Sequence, residues 1–191
     1  MTMLDFLHQL FSWVCGQSHA HTWSPGGELL PCCQRCTGVY AGALVAALLH
    51  FAWPPPPTSF WRWLNGGFLL FMVPAGFHWL PQGPELRAAS GILFGFGLVA
   101  FLWLPLQKNI LPDAELKNSR SRLSIFFTAL PAALVFTPLL GASDDSRAAT
   151  ALALLTAGGA LALALLLAAN LFLAARRIWR RCFQPAPRVA A

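Results

Sequence analysis

The stretch CTGVYAGALVAALLHFAW, residues 36–53, sets the fold class of this chain. It contains no Asp, Glu, Lys or Arg, and four consecutive prolines follow it at residues 54–57. A membrane-spanning helix needs about 20 predominantly apolar residues, and consecutive prolines cannot continue a helix. The stretch therefore predicts a transmembrane helix that ends before Pro54.

Four further apolar segments have the length of a span. The chain of 191 residues is 57% hydrophobic and 10% charged, whereas soluble domains carry about 25% charged residues. We therefore predict an all-α, polytopic integral membrane helical bundle with about five transmembrane helices. The later spans are predicted at residues 60–80, 88–106, 123–140 and 148–175.

The leading segment, residues 1–35, has a different character. LDFLHQLFSWV places Asp5, His8, Gln9 and Ser12 on one helical face and apolar side chains on the other. This pattern predicts a short amphipathic helix that lies in the membrane interface. A helix packed against the bundle is the alternative.

Two pairs of glycines have the spacing of a close helix contact. They are Gly38 with Gly42 and Gly91 with Gly95. Because small residues let helix backbones approach each other, we expect the first and third spans to pack tightly beneath the leading segment. His50, Asn65 and Asn170 are expected to form hydrogen bonds between helices.

The distribution of basic residues predicts the orientation. With five spans, three basic residues fall on the N-terminal side and ten on the other. Basic residues favour the cytoplasmic side, so we expect an inner-membrane protein with its N-terminus outside and its tail, residues 176–191, in the cytoplasm. The net charge of +6 then serves orientation and contact with the lipid bilayer, and no nucleic-acid partner is needed.

Four of the five cysteines lie within residues 15–36. Cys33 and Cys36 form a C-x-x-C turn, and Cys15 with either His19 or His21 completes a Cys3His set, a common zinc arrangement. Cys32 is then the spare cysteine, because neighbouring side chains point apart. The segment predicts a site for zinc or another transition metal, either structural or active in metal-assisted chemistry on a lipid-linked or other membrane-associated substrate.

Two alternatives to a metal site stay open. Cysteines outside the cytoplasm tend to oxidise, and a C-x-x-C at the outer end of a span suits a quinone-linked thiol–disulfide oxidoreductase, with Cys15 and Cys32 as a second pair. A non-enzymatic membrane scaffold or partner-binding protein is the other alternative. For a catalytic metal site, the acid or base candidates are His78, His19 and Asp144.

The residues C-x-Q at Cys15, HTW at His21 and LPCCQRCTGVYAG at residues 30–42 carry a family resemblance. They resemble the domain-of-unknown-function 2085 family of prokaryotic membrane proteins, and LRAASGILFG at residues 86–95 is similar to that family's second motif. The resemblance implies a helical membrane fold, favours Cys15, Cys33 and Cys36 as site cysteines, and favours His21 over His19. Gly16 stands where many members have histidine, and the family supplies no activity to carry over.

Overall fold

The structure is a computed structural model, and it describes residues 3–55, 58–77, 79, 81–110 and 120–183. Within these residues all the regular secondary structure is helical. Two 3-10 turns, His19–His21 and Pro25–Gly27, lie between the first and second α-helices. The α-helices, in chain order, are α1 Met3–Phe11, α2 Gln34–Ala52, α3 Ser59–Gly76, α4 Pro84–Ile110, α5 Arg120–Gly141 and α6 Ser146–Phe183.

Four of these helices are long and apolar enough to cross a membrane. Their qualifying segments are Gln34–Ala52, Pro84–Asn109, Ser124–Gly141 and Ser146–Arg180. Helix α3, which corresponds to the predicted span 60–80, is outside this set, and it carries Arg62 and Asn65 in its first half. The helical membrane bundle is therefore confirmed, while the count of five spans is approximate.

The helices run past the predicted spans at several ends. Helix α4 begins at Pro84 and ends at Ile110, and α6 continues through the arginine-rich segment to Phe183. Hydropathy marks only the apolar part of a helix, whereas backbone hydrogen bonds continue into polar residues. The first part of the predicted tail, from residue 176 to 183, is thus helical.

Helix α2 forms a close seam with α4. A Cβ on Gly38 would meet the backbone of Ala88, and one on Gly42 would meet the backbone of Ile92. A Cβ on Gly95 would likewise meet the carbonyl oxygen of Val39. These pairs advance together along both chains, so α2 and α4 run parallel, and the predicted tight packing of the first and third spans is confirmed.

Helix α6 packs against the other side of α2. Gly159 lies directly against the backbone of Tyr40, so any side chain there would collide with it. Further along, Asn170 Nδ2 donates to the Leu102 carbonyl of α4 at 2.8 Å. The predicted interhelical hydrogen bond of Asn170 is thus present. Among the described residues, His50 and Asn65 instead bond to Ala46 and Trp61, one turn earlier in their own helices.

The leading segment covers one end of the bundle. Leu7 and Phe11 of α1 pack with Cys15, Cys32 and Ala153, and Trp23 and Leu30 pack with the N-terminal turns of α4 and α6. A second set of apolar side chains is exposed: Phe6 and Leu10 of α1, and Trp13 in the turn that follows it. This arrangement suits a helix that rests on the bundle and presents apolar side chains to the membrane interface.

Candidate metal centre

Three cysteine side chains from two segments converge at the covered end of the bundle. The sulfur atoms of Cys15, Cys33 and Cys36 all lie within 4.8 Å of one another. Cys15 is buried, while Cys33 and Cys36 are half-buried. The structure therefore brings together the three cysteines that were predicted as metal ligands.

Local backbone geometry explains this convergence. Cys33 is the N-cap of α2 and Cys36 lies in its first turn, so the C-x-x-C sequence puts both sulfurs near one helix end. The Cys15 amide donates to Phe11 O at 2.9 Å, which places Cys15 directly after α1. The Cys33 amide donates to Cys15 Sγ at 3.4 Å, and this contact joins the two segments.

Cys32 is fully buried beside Cys15. Hydrogen bonds from the thiols of Cys32, Cys33 and Cys36, in that order of strength, hold the pKa of Cys15 far below its usual range. The hydrogen bond to Cys15, followed by burial, raises the pKa of Cys32 well above its usual range. These opposite shifts favour ionisation of Cys15 ahead of Cys32.

Gln17 fastens the loop that carries Cys15. Its side-chain amide donates to His8 O at 2.8 Å and to Pro31 O at 2.9 Å. Its backbone has φ of 44°, a left-handed conformation that costs a non-glycine residue about 1–2 kcal/mol. Such strain persists only where surrounding contacts impose it, and here the two hydrogen bonds tie the end of α1 to the second cysteine segment.

A cavity of about 300 Å³ opens beside the thiols. Cys33, Cys36 and His21 line it, together with Arg35 from α2 and Arg87 from α4. His21 is half-buried and shares this cavity with the cysteines, although it is not part of the group of ligand atoms within 4.8 Å. The arrangement is a three-thiol group with a cavity next to it.

The predicted acid or base residues lie elsewhere. His19 is exposed on the first 3-10 turn, and Asp144 is exposed in the loop before α6; neither lines the cavity. His78 lies outside the described residues. A catalytic role for these three residues stays a prediction.

Two features of the site were not predicted from the sequence. Arg35 and Arg87 were expected at the same membrane face, but their meeting in one cavity depends on the parallel packing of α2 and α4. The two hydrogen bonds of the Gln17 side chain were not predicted, although Gln17 was noted as part of the C-x-Q motif. The sequence signal for this constrained turn is a polar residue, Gln17, directly after Gly16 in a segment rich in possible metal ligands.

Comparison with known proteins agrees with these features. The family model described as "Predicted membrane protein (DUF2085)" matches residues 15–101, a region that includes four of the five cysteines, helices α2 and α3, and the larger part of α4. An uncharacterised protein of Methanothermobacter thermautotrophicus is 30% identical over 102 residues, which cover 53% of this chain and 89% of the relative. No solved structure matches the chain significantly. The chain therefore belongs to the domain-of-unknown-function 2085 family of membrane proteins.

Proposed function

We propose that the chain binds one transition-metal ion, zinc, through the thiolates of Cys15, Cys33 and Cys36. The mutual approach of the three sulfurs to within 4.8 Å supports this proposal. At a Zn–S distance of about 2.3 Å, the sulfurs of a tetrahedral site lie about 3.8 Å apart. The side chains therefore need only small movements to close around an ion.

The backbone around the sulfurs also suits thiolate ligands. The amide of Cys33 points at Cys15 Sγ, and hydrogen bonds that stabilise a thiolate support its role as a ligand, because metals bind the deprotonated sulfur. The pKa of Cys15 is also lowered, chiefly by the hydrogen bond from Cys32. This shift favours the deprotonated sulfur that a metal ion binds.

The cavity favours an open site that performs metal-assisted chemistry. Structural zinc sites have four protein ligands, while catalytic sites have three and leave one position for water or substrate. Here two of the three clustered thiols, those of Cys33 and Cys36, line a cavity of about 300 Å³. We propose that a membrane-associated substrate enters this cavity, where the ion supplies a Lewis acid and His21 stands on the wall as a fourth ligand or as an acid or base.

We further propose that this end of the bundle faces outward across an inner membrane. The parallel helices α2, α4 and α6 begin at the cysteine end, and the basic residues Arg176, Arg177 and Arg180 lie near the far end of α6. Basic residues favour the cytoplasmic side. Labelling of single introduced cysteines with an impermeant maleimide tests this orientation, and labelling of a position near residue 180 in intact cells would contradict it.

Metal analysis of the purified protein tests the site. The measurement is metal per chain by mass spectrometry, together with the number of free thiols after chelation. We expect about one ion per chain, lost in Cys15→Ser, Cys33→Ser and Cys36→Ser and kept in Cys182→Ser, whose thiol is exposed near the end of α6. Full occupancy in His21→Ala would identify the three-thiol set, and wild-type protein without metal but with every thiol free would refute the proposal.

A thiol–disulfide oxidoreductase is the second candidate, favoured by the burial of Cys15 and Cys32 in one packed cluster. In this reaction two thiols form one disulfide, and the two electrons and two protons pass to a quinone, which becomes a quinol. This candidate predicts metal-free protein with fewer free thiols after quinone is added. A scaffold role instead predicts that Cys33→Ser lowers stability without changing metal content or abolishing any turnover.

A further inference from the structure

Two arginine side chains enter the cavity from neighbouring helix ends. Arg35 lies in the first turn of α2 and Arg87 in the first turn of α4, and both line the cavity beside Cys33 and Cys36. Among the described residues that line it, none is an aspartate or a glutamate. The cavity therefore combines positive side chains with the positive ends of two helix dipoles.

Arg35 is held in place by hydrogen bonds from one of its terminal nitrogen atoms. Its Nη2 atom donates to the Ala75 carbonyl at 2.9 Å and also to Gln82 Oε1. Its Nε atom is buried and has no hydrogen-bond partner within the described part of the chain. Ala75 is the penultimate residue of α3, so the end of that helix orients the guanidinium group.

Arg87 presents a similar unpaired donor. Its Nε atom is also buried and lacks a hydrogen-bond partner among the residues that the structure describes. A buried donor left unsatisfied costs about 1–3 kcal/mol. Two cationic side chains line this one cavity with no carboxylate beside them among the described lining residues, and this lining favours an anionic occupant.

The charges of the proposed metal centre indicate what this acceptor is. Three thiolates and one divalent ion carry a net charge of about −1, and the two guanidinium groups bring the cavity to about +1. A single phosphate diester would neutralise that charge, and guanidinium groups match phosphate oxygens in geometry.

We propose that Arg35 and Arg87 bind the phosphate group of the substrate beside the metal. This inference rests on the proposed metal centre and names the chemical class that the cavity accepts, a phosphate ester. The phosphate belongs either to a lipid head group or to a soluble compound. The arginines hold its oxygens, while the remaining part of the molecule lies against the cysteine side of the cavity.

Calorimetric titration of the full chain in detergent tests this inference. Metal content is measured first, and the metal-loaded protein is then titrated with inorganic phosphate, glycerol 3-phosphate and dihexanoyl phosphatidylglycerol. We expect the loss of one arginine contact to weaken binding about tenfold or more in Arg35→Gln and Arg87→Gln. The matched control is Arg62→Gln, since Arg62 is exposed in α3 and bonds only to nearby Ser59 among the described residues.

The outcomes distinguish a lipid phosphate from a soluble one. They also distinguish failure of this inference from failure of the proposed metal centre. Binding of all three probes supports a soluble phosphate ester, and binding of the lipid alone supports a head group anchored by its acyl chains. Because Arg35 also anchors α3, Arg87→Gln is the decisive variant, and Arg35→Lys keeps the charge if Arg35→Gln does not fold. Metal-loaded protein that binds none of the probes, or Arg87→Gln that binds like the wild type, overturns the inference; protein without metal refutes the metal centre instead.

Discussion

Substitution of Gly91 by alanine should separate the two helices that carry the site. A Cβ at residue 91 would lie 2.9 Å from Val39 N and closer still to the Arg35 carbonyl oxygen. Both obstacles are backbone atoms of α2, which cannot move aside by changing rotamer. Since non-bonded atoms prefer about 3.5–4.0 Å, the helices must part by about 1 Å locally.

The size of the effect follows from two opposing terms. Overpacking costs about 1–3 kcal/mol, and rigid backbone on the other side places this site at the upper end. Alanine in place of glycine in a helix returns about 1 kcal/mol. The net loss is about 1–2 kcal/mol, which lowers the unfolding midpoint by about 2–8 °C for a chain of this size.

Gly67→Ala is the matched control. Gly67 lies in α3, is exposed, and has no atom within 4 Å of an added Cβ. Only the higher helix propensity of alanine then acts, so the midpoint of thermal unfolding should stay level or rise by about 1–4 °C. Thermal unfolding in detergent, followed by size-exclusion chromatography, measures both variants. Gly91→Ala that is as stable as Gly67→Ala would show that α2 and α4 are not in backbone contact.

Three further predictions concern the thiols and the hydrogen bonds. Cys32 has a folded pKa above its ordinary value of 9.0, so it stays neutral in the folded chain while it ionises in the unfolded chain. Metal-free protein should therefore lose stability as the pH rises above about 9, and a midpoint that falls as steeply in Cys32→Ala would contradict this. Gln17→Ala removes both hydrogen bonds of the Gln17 side chain and keeps the strained backbone, so we expect a loss of about 2 kcal/mol in the free energy of unfolding. Gln17→Gly also removes the hydrogen bonds but relieves the backbone strain. Chemical denaturation should therefore show Gln17→Gly to be the more stable of the two variants. Asn170→Ala should lose about 0.6–1 kcal/mol, measured by the same method, and an unchanged value would mean that its bond to Leu102 contributes nothing.

The fold was largely predictable because the signals are local. Long apolar segments require helices in a bilayer, where every backbone polar group must find an internal partner. The spacing of Gly38 and Gly42 likewise identified the seam with α4. Helix α3 was the weaker case, since Arg62 and Asn65 interrupt its apolar character and leave its status as a span a prediction.

The site was predictable only in part. Cys33 and Cys36 are neighbours through the C-x-x-C turn, and Cys15 belonged to the same ligand-rich segment. His50 and Asn65 were expected to bond across helices but bond within their own, because side-chain direction depends on the rotation of each helix about its axis. That rotation depends on the packing of many residues and leaves no short motif.

The sequence by itself determined a helical membrane protein with four cysteines within residues 15–36. Hydrophobicity and ligand spacing are properties of short stretches, and they do not depend on the way distant segments meet. Only the tertiary structure decided that Arg35 and Arg87 share a cavity with Cys33, Cys36 and His21. That meeting depends on the parallel approach of α2 and α4, where glycines let the two backbones touch and bring residues about 50 positions apart to the same end of the bundle.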